Sequence, residues 1–113
     1  MKLLFIITKG LEKSGAAIRA LQIAALTATQ GHHVEVFLLD EAVQWARGVK
    51  AGCESLLDYM EMLNTSENPV QVCTACVEKR LISQEDLMEG TVLVTMPTLA
   101  EKIASPDYKV LTF

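Results

Sequence analysis

Five short apolar segments recur along the chain, and each is separated from the next by a segment with helical spacing or a polar turn. The apolar segments are residues 2–8, 34–39, 70–73, 91–95 and 108–113. The intervening residues 15–30, 53–63, 74–81 and 98–104 favour helices, and residues 41–47 favour one or two helical turns before a loop at 48–52. Strands that alternate with helices predict an α/β fold, a five-stranded parallel sheet with helices on both faces and right-handed connections.

The length and the charge restrict the function classes. A chain of 113 residues predicts a single domain spanning residues 1–113. Half of the residues are hydrophobic and the mean hydropathy is +0.28, which favours self-association. The net charge of −4 argues against a nucleic-acid partner, because phosphate backbones require a basic surface.

The apolar run nearest the N-terminus, Leu3 to Ile7, argues against both membrane insertion and export. It is far shorter than the roughly 20 residues of a spanning helix. Lys9 also interrupts it too early for a secretory signal. We therefore expect a cytoplasmic protein, in which the three cysteines are free thiols with chemical or packing roles.

The loop after the first predicted strand, residues 9–15, does not have the pattern of a nucleotide-binding loop. A phosphate-binding P-loop needs Lys and then Ser or Thr after its last glycine, whereas Ala16 and Ala17 follow Gly15. The three-glycine dinucleotide pattern is also absent. The sequence therefore argues against nucleotide binding.

Cys73 is the leading candidate for a reactive residue. It ends the third predicted strand and precedes a helix, and ligands of parallel sheets gather at this carboxyl edge. Unpaired N–H groups at a helix start favour the thiolate, which is the nucleophilic form. The alternative is a buried cysteine that serves only as a small hydrophobic side chain.

Cys76 completes a C-x-x-C segment with Cys73. This spacing is typical of dithiol redox motifs, but Cys76 is equally consistent with a residue packed beneath a single reactive Cys73. A zinc site would require Cys53 and the His32-His33 pair to converge on the two thiols, which is the weaker hypothesis. The two histidines precede the second strand and are expected to be turn residues.

Several segments together resemble the DsrE/DsrF-like (DsrEFH) family of sulfur-relay proteins. They are the alanine-rich first helix ending Gly-His-His-Val at 31–34, the run 36–43, and Val-Gln-Val-Cys at 70–73 before a helix with Lys79-Arg80. The resemblance implies a three-layer α/β/α fold and a homo-oligomer, often a trimer or hexamer. It also implies that Cys73 accepts a persulfide from a donor protein and passes the sulfur to an acceptor thiol, with no metal or organic cofactor.

Three functions therefore remain open at this stage. The first is a sulfur carrier or sulfurtransferase with Cys73 as the acceptor nucleophile. The second is a non-enzymatic oligomeric scaffold or small-ligand binder in which Cys73 only packs. The third is a dithiol redox protein that uses Cys73 and Cys76.

Overall fold

The computed structural model describes all residues from Met1 to Phe113 and contains one five-stranded parallel sheet. The strands are β1 (Lys2–Ile7), β2 (His33–Leu38), β3 (Gln71–Cys73), β4 (Val92–Val94) and β5 (Tyr108–Thr112), in the spatial order β4-β3-β2-β1-β5. The predicted five-stranded parallel α/β fold is confirmed.

Four α-helices connect the strands. They are α1 (Ser14–Thr29), α2 (Leu57–Asn64), α3 (Thr74–Lys79) and α4 (Met96–Ala104), and Pro97 lies in the first turn of α4 as the sequence predicts. The helix predicted for residues 53–63 begins later, at Leu57, after a 3₁₀ turn over Glu54–Leu56. The helical turns predicted for residues 41–47 are 3₁₀ turns, and they extend over Asp40–Ala51, into the segment predicted as a loop.

Gly48 interrupts these 3₁₀ turns because its backbone is left-handed, with φ 63°. A Cβ atom at this position would lie 2.9 Å from Cγ of Met88, and the amide of Met88 donates a 2.7 Å hydrogen bond to the carbonyl of Ala46. Glycine therefore permits both the turn and the close approach of the segment around Met88.

The order of the strands places helices on opposite faces of the sheet. From β1 to β4 each crossover moves in one direction, whereas the connection from β4 through α4 to β5 returns across the sheet to the far side of β1. Right-handed connections that run in opposite directions lie on opposite faces. Helix α1, which packs against α2, therefore covers one face, and α4 covers the other.

The inner strand β1 and the small side chains of α1 form a large part of the core. Leu4 to Ile7 are buried, and Phe5 stacks on Phe113 with ring centroids 5.7 Å apart. Four alanines of α1 are also buried, namely Ala17, Ala20, Ala24 and Ala25. These small side chains let the helix approach the sheet closely, and this face buries no charged side chain from α1.

Candidate functional site

The loops that follow β1, β2 and β3 meet at the carboxyl edge of the sheet. A Cβ atom on the buried Gly10 would lie only 2.6 Å from Cβ of Glu41, so the first two loops are in direct contact. The indole N–H of Trp45 donates a 2.8 Å hydrogen bond to the carbonyl of Lys9. The amide of Asp40 points at the sulfur of Cys76, at 3.4 Å, and this contact joins the second loop to α3.

Cys73 is the last residue of β3 and the N-cap residue of α3, so it lies where the sequence places it. Its Sγ accepts the amide N–H of Cys76 at 3.4 Å, which satisfies one of the free donors at the start of the helix. Cys73 is also only 1% exposed and belongs to the hydrophobic core. It therefore combines a helix-capping position with a packing position.

Cys76 lies one turn further along α3 and is partly exposed. Cys76 packs against the core but does not lie beneath Cys73, since Cys73 is the inner of the two thiols. Burial and a hydrogen bond with Cys73 raise the pKa of the Cys76 thiol, and the amide of Asp40 opposes this rise. At neutral pH Cys76 is consequently a protonated thiol in contact with a second thiol.

The N–H group that contacts Cys76 belongs to a residue with unusual backbone geometry. Asp40 has φ 54°, a left-handed conformation that Asp adopts more readily than most residues. The chain leaves β2 through Leu39, turns at Asp40 and enters the 3₁₀ turns. This turn aims the Asp40 amide at α3, and no motif in the sequence identified it.

Arg80 closes the site on the side of the second loop. Its Nη2 and Nε donate to Oε1 of Glu41 at 2.6 and 3.2 Å, and its Nη1 donates to the carbonyl of Cys76 at 3.4 Å. The hydrogen bond with Glu41 is the main reason why the pKa of Arg80 is raised, and the negative charge that Cys76 carries when ionised adds to the effect. Lys79, its neighbour in the sequence motif, is exposed.

The other sequence candidates lie elsewhere. Cys53 is partly exposed and precedes the 3₁₀ turn before α2. His32 is exposed, whereas His33 is not a turn residue but the first residue of β2. No group of three or more His, Cys, Asp or Glu side chains is arranged to hold a metal ion, so these residues do not converge with the two thiols.

A second polar group, here called the Glu35 cluster, lies under α4 and comprises Glu35, His33, Gln71, Lys102 and Tyr108. Glu35 is 5% exposed, and four side chains contact its carboxylate. Oε1 accepts from Lys102 at 2.6 Å and from Gln71 at 3.1 Å, while Oε2 accepts from Tyr108 at 2.5 Å and lies 2.7 Å from Nε2 of His33. Lys102 also donates to Gln71 at 2.8 Å.

These contacts determine the ionisation of the cluster. Burial alone would raise the pKa of Glu35, but the hydrogen bonds, that of Lys102 first, lower it to about 2. Burial and the carboxylate of Glu35 raise the pKa of Tyr108 to about 12. Glu35 is therefore ionised and Tyr108 neutral across the physiological range.

Sequence reasoning missed the Glu35 cluster, although one signal was present. Glu35 and Gln71 interrupt otherwise apolar strands. Glu35 and Phe37 are two residues apart in β2 and therefore point to the same face of the sheet, and Phe37 pairs with Gln71 of β3. Glu35 and Gln71 thus lie on the same face. A buried charge needs partners, so two polar residues on one face of neighbouring strands indicate a bonded group.

One cleft adjoins the thiol site, and a larger one is lined by other residues. A cleft of about 530 Å³ is lined by the loop after β1, including Lys9 and Lys13, and it shares Glu41 with the thiol site. A larger cleft, about 840 Å³, lies between the Gly48 turn, α2 and the segment around Met88, and no cysteine lines it. No helix of this chain is both long and apolar enough to cross a membrane.

Comparison with known proteins agrees with this fold. Protein YchN of Escherichia coli is 35% identical over 82 residues, which cover 71% of this chain and 69% of YchN. The crystal structure of YchN from E. coli matches with a TM-score of 0.84, over 100% of this chain and 99% of that one, at 26% identity. The structure of MTH1491 from Methanobacterium thermoautotrophicum, at 16% identity, shares the fold, with a TM-score of 0.75 over 99% of this chain and 98% of that one.

Two further matches extend over the full length of the chain. The Uncharacterized protein MJ0989 of Methanocaldococcus jannaschii is 33% identical over 116 residues, covering 100% of both sequences. The profile of the DsrE/DsrF-like family matches residues 1–113. The chain therefore belongs to the DsrE/DsrF-like family.

Proposed function

We propose that this protein is a sulfur carrier that accepts a persulfide sulfur on Cys73 and passes it to an acceptor thiol. The observation that carries the proposal is the position of Cys73, which ends β3 at the carboxyl edge beside a second thiol and an N–H donor. Membership of the DsrE/DsrF-like family supports it, because sulfur relay is the role associated with this family.

The chemistry needs only thiols. A cysteine thiolate attacks the outer sulfur of a donor persulfide, a new S–S bond forms on the protein, and the donor leaves as a thiolate that takes up the proton lost from the cysteine. An acceptor thiolate then attacks the same outer sulfur, and the protein thiolate leaves. The sulfur atom moves without net oxidation, so the two transfers require no metal or organic cofactor.

The test is to incubate the reduced protein with a small-molecule persulfide and to locate the added sulfur by mass spectrometry of alkylated peptides. The expected result is a gain of one sulfur atom on the peptide that contains Cys73, lost again when an acceptor thiol is added. Wild-type protein that gains no sulfur would refute the proposal. The Cys53→Ser variant is the matched control, since Cys53 is outside the site.

The low exposure of Cys73 favours a second candidate function, a scaffold or small-ligand binder in which this thiol only packs. The cleft of about 840 Å³ has a size suited to small ligands. Thiol-reactivity profiling separates the two functions. A scaffold predicts that Cys73 reacts no faster than a model thiol at neutral pH.

The contact between the two thiols favours a third candidate, a dithiol redox protein. Cys73 and Cys76 are three residues apart, and the amide of one donates to the sulfur of the other. This function predicts an intramolecular disulfide with a defined reduction potential in glutathione redox buffers.

We also propose that the chain forms a homo-oligomer, a trimer or hexamer, and meets its sulfur donor and acceptor proteins as separate partners. Large apolar side chains at the surface support association. Met96 and Ile103 of α4 are 46% and 48% exposed, and Val92 of the adjoining strand is 43% exposed. Light scattering on the purified protein measures the subunit number, and a monomer at working concentration would contradict this proposal.

A further inference from the structure

We infer that Cys76 is the thiol that first receives sulfur from the donor, and that Cys73 takes the sulfur from Cys76 and stores it. This inference rests on the proposed function and assigns separate roles to the two thiols. Cys76 is called the receiving thiol and Cys73 the storing thiol below.

The two thiols differ in how far an external donor can reach them. A persulfide donor must bring its outer sulfur to the attacking thiolate in line with its own S–S bond. Cys73, 1% exposed and within the core, offers no such approach from solvent. Cys76 is partly exposed and is the member of the pair that an external donor can reach.

An N–H donor and a cation lie next to Cys76. The Asp40 amide donates to its sulfur at 3.4 Å, and the Arg80 guanidinium is held beside it by the carbonyl of Cys76 and by Glu41. A donated N–H and a nearby cation both favour a negatively charged sulfur, and they oppose the burial and the neighbouring thiol that raise the pKa of Cys76. The side chain of Glu41 is 64% exposed, so the carboxylate that pairs with the Arg80 guanidinium is accessible to solvent.

The two thiols are neighbours at the start of α3. Cys73 caps the first turn of α3 by accepting the amide N–H of Cys76 at 3.4 Å, so the sulfur of Cys73 lies against the backbone of Cys76. A hydrogen bond between the two thiols is among the causes of the raised pKa of Cys76. Sulfur can therefore pass between them without release into solvent.

The transfer consists of two balanced steps. The thiolate of Cys76 attacks the outer sulfur of the donor persulfide, an S–S bond forms on Cys76, and the donor leaves as a thiolate that takes the proton lost by Cys76. The thiolate of Cys73 then attacks the outer sulfur of this persulfide. The S–S bond on Cys76 breaks, and Cys76 recovers the proton given up by Cys73. No electrons enter or leave. The stored sulfur lies on the buried thiol, and the reverse of the second step returns it to Cys76, where an acceptor thiol can reach it.

The experiment compares single-cysteine variants with a small-molecule persulfide as the donor. We expect Cys76→Ser to slow sulfur uptake on Cys73 by about tenfold or more, because the remaining thiol is buried. We expect Cys73→Ser still to take up sulfur but to hold it on Cys76, from which external thiols remove it faster. Cys53→Ser is expected to match the wild type in both measurements.

The outcomes separate this inference from the proposed function. Wild-type protein that takes up no sulfur refutes the proposed function itself. Wild-type uptake that is unchanged in Cys76→Ser overturns only the receiving role. Loss of sulfide with formation of a Cys73–Cys76 disulfide overturns the storing role, since Cys73 then attacks the inner sulfur. Circular dichroism verifies that each variant is folded. The variants Cys76→Ala and Cys73→Ala repeat the test without the hydroxyl group that serine introduces.

Discussion

The Glu35 cluster includes residues of β2 and β3, and the Cys73–Cys76 pair lies where β3 ends and α3 begins. The polar atoms of the two groups have different numbers of hydrogen-bond partners. Four side chains surround the carboxylate of Glu35, each within 3.1 Å. Each thiol sulfur instead accepts one backbone N–H, in both cases at 3.4 Å. One region therefore has saturated hydrogen bonds, while the other retains bonding capacity and partial access to solvent.

This difference distinguishes a structural group from a candidate reactive one. A buried carboxylate with every acceptor position occupied has little capacity left for a ligand, and it ties α4 to the sheet through Lys102. Sulfur is a weak acceptor, so the backbone contacts orient Cys73 and Cys76 without occupying all of their bonding capacity. The following predictions test this contrast.

The largest effect is expected from Lys102→Met, which leaves the Glu35 carboxylate buried without its cation. Breaking a buried pair from one side costs about 3–5 kcal/mol in the free energy of unfolding, measured by urea denaturation. Lys109→Met on the exposed side of β5 is the control and should change little. A loss below about 1 kcal/mol for Lys102→Met would mean that solvent screens the pair and that the cluster is not structural.

Acid should weaken the protein through the same cluster. The pKa of Glu35 is about 2 in the folded state against an ordinary value of 4.5, which corresponds to roughly 3 kcal/mol of stability. Because the folded value is the lower one, this contribution is complete above the ordinary pKa and is lost as the pH falls towards about 2. Urea unfolding at successive pH values measures this loss. Glu35→Gln should show a shallower dependence, and an unchanged slope would assign acid sensitivity to other carboxyls.

Gly10 offers a way to disturb the thiol region alone. A Cβ atom there meets Cβ of Glu41 at 2.6 Å, so Gly10→Ala must displace the turn that carries the Asp40 amide. We expect a loss of about 1–3 kcal/mol and a changed alkylation rate of Cys76. Gly15→Ala is the matched control, because a Cβ at Gly15 has no neighbour within 4 Å and alanine favours the helix. Equal effects of the two changes would show that Gly10 is not a close-packing position.

The smallest effect is expected from Cys73→Ala on the ionisation of Cys76. Removing the neighbouring thiol should lower the pKa of Cys76, since its hydrogen bond and charge help to raise it. The fall should be partial because burial, the largest cause, remains. The pH dependence of Cys76 alkylation in a Cys53→Ser background reports the pKa. A rise in this pKa would mean that the two thiols do not interact in the way described.

Local patterns in the sequence predicted the framework. Alternating apolar runs and helical periods predicted the parallel sheet, and Gly31 was correctly placed just after the end of α1. The placement of Cys73 between a strand and a helix also followed from local spacing, as did the one-turn separation from Cys76. These features involve neighbouring residues, for which short-range backbone geometry is sufficient.

Only the tertiary structure decided which thiol faces solvent and which groups surround each site. Asp40 and Cys76 are 36 residues apart, and Glu35 and Tyr108 are 73 apart, yet each pair is in hydrogen-bonding contact. Such contacts depend on strand order, crossover direction and the packing of α4, which composition and spacing do not encode locally. The sequence by itself thus determined the sheet and the location of the thiols at its edge. The fold determined their exposure and their partners, because burial and hydrogen bonding arise between segments that meet only when the chain is folded.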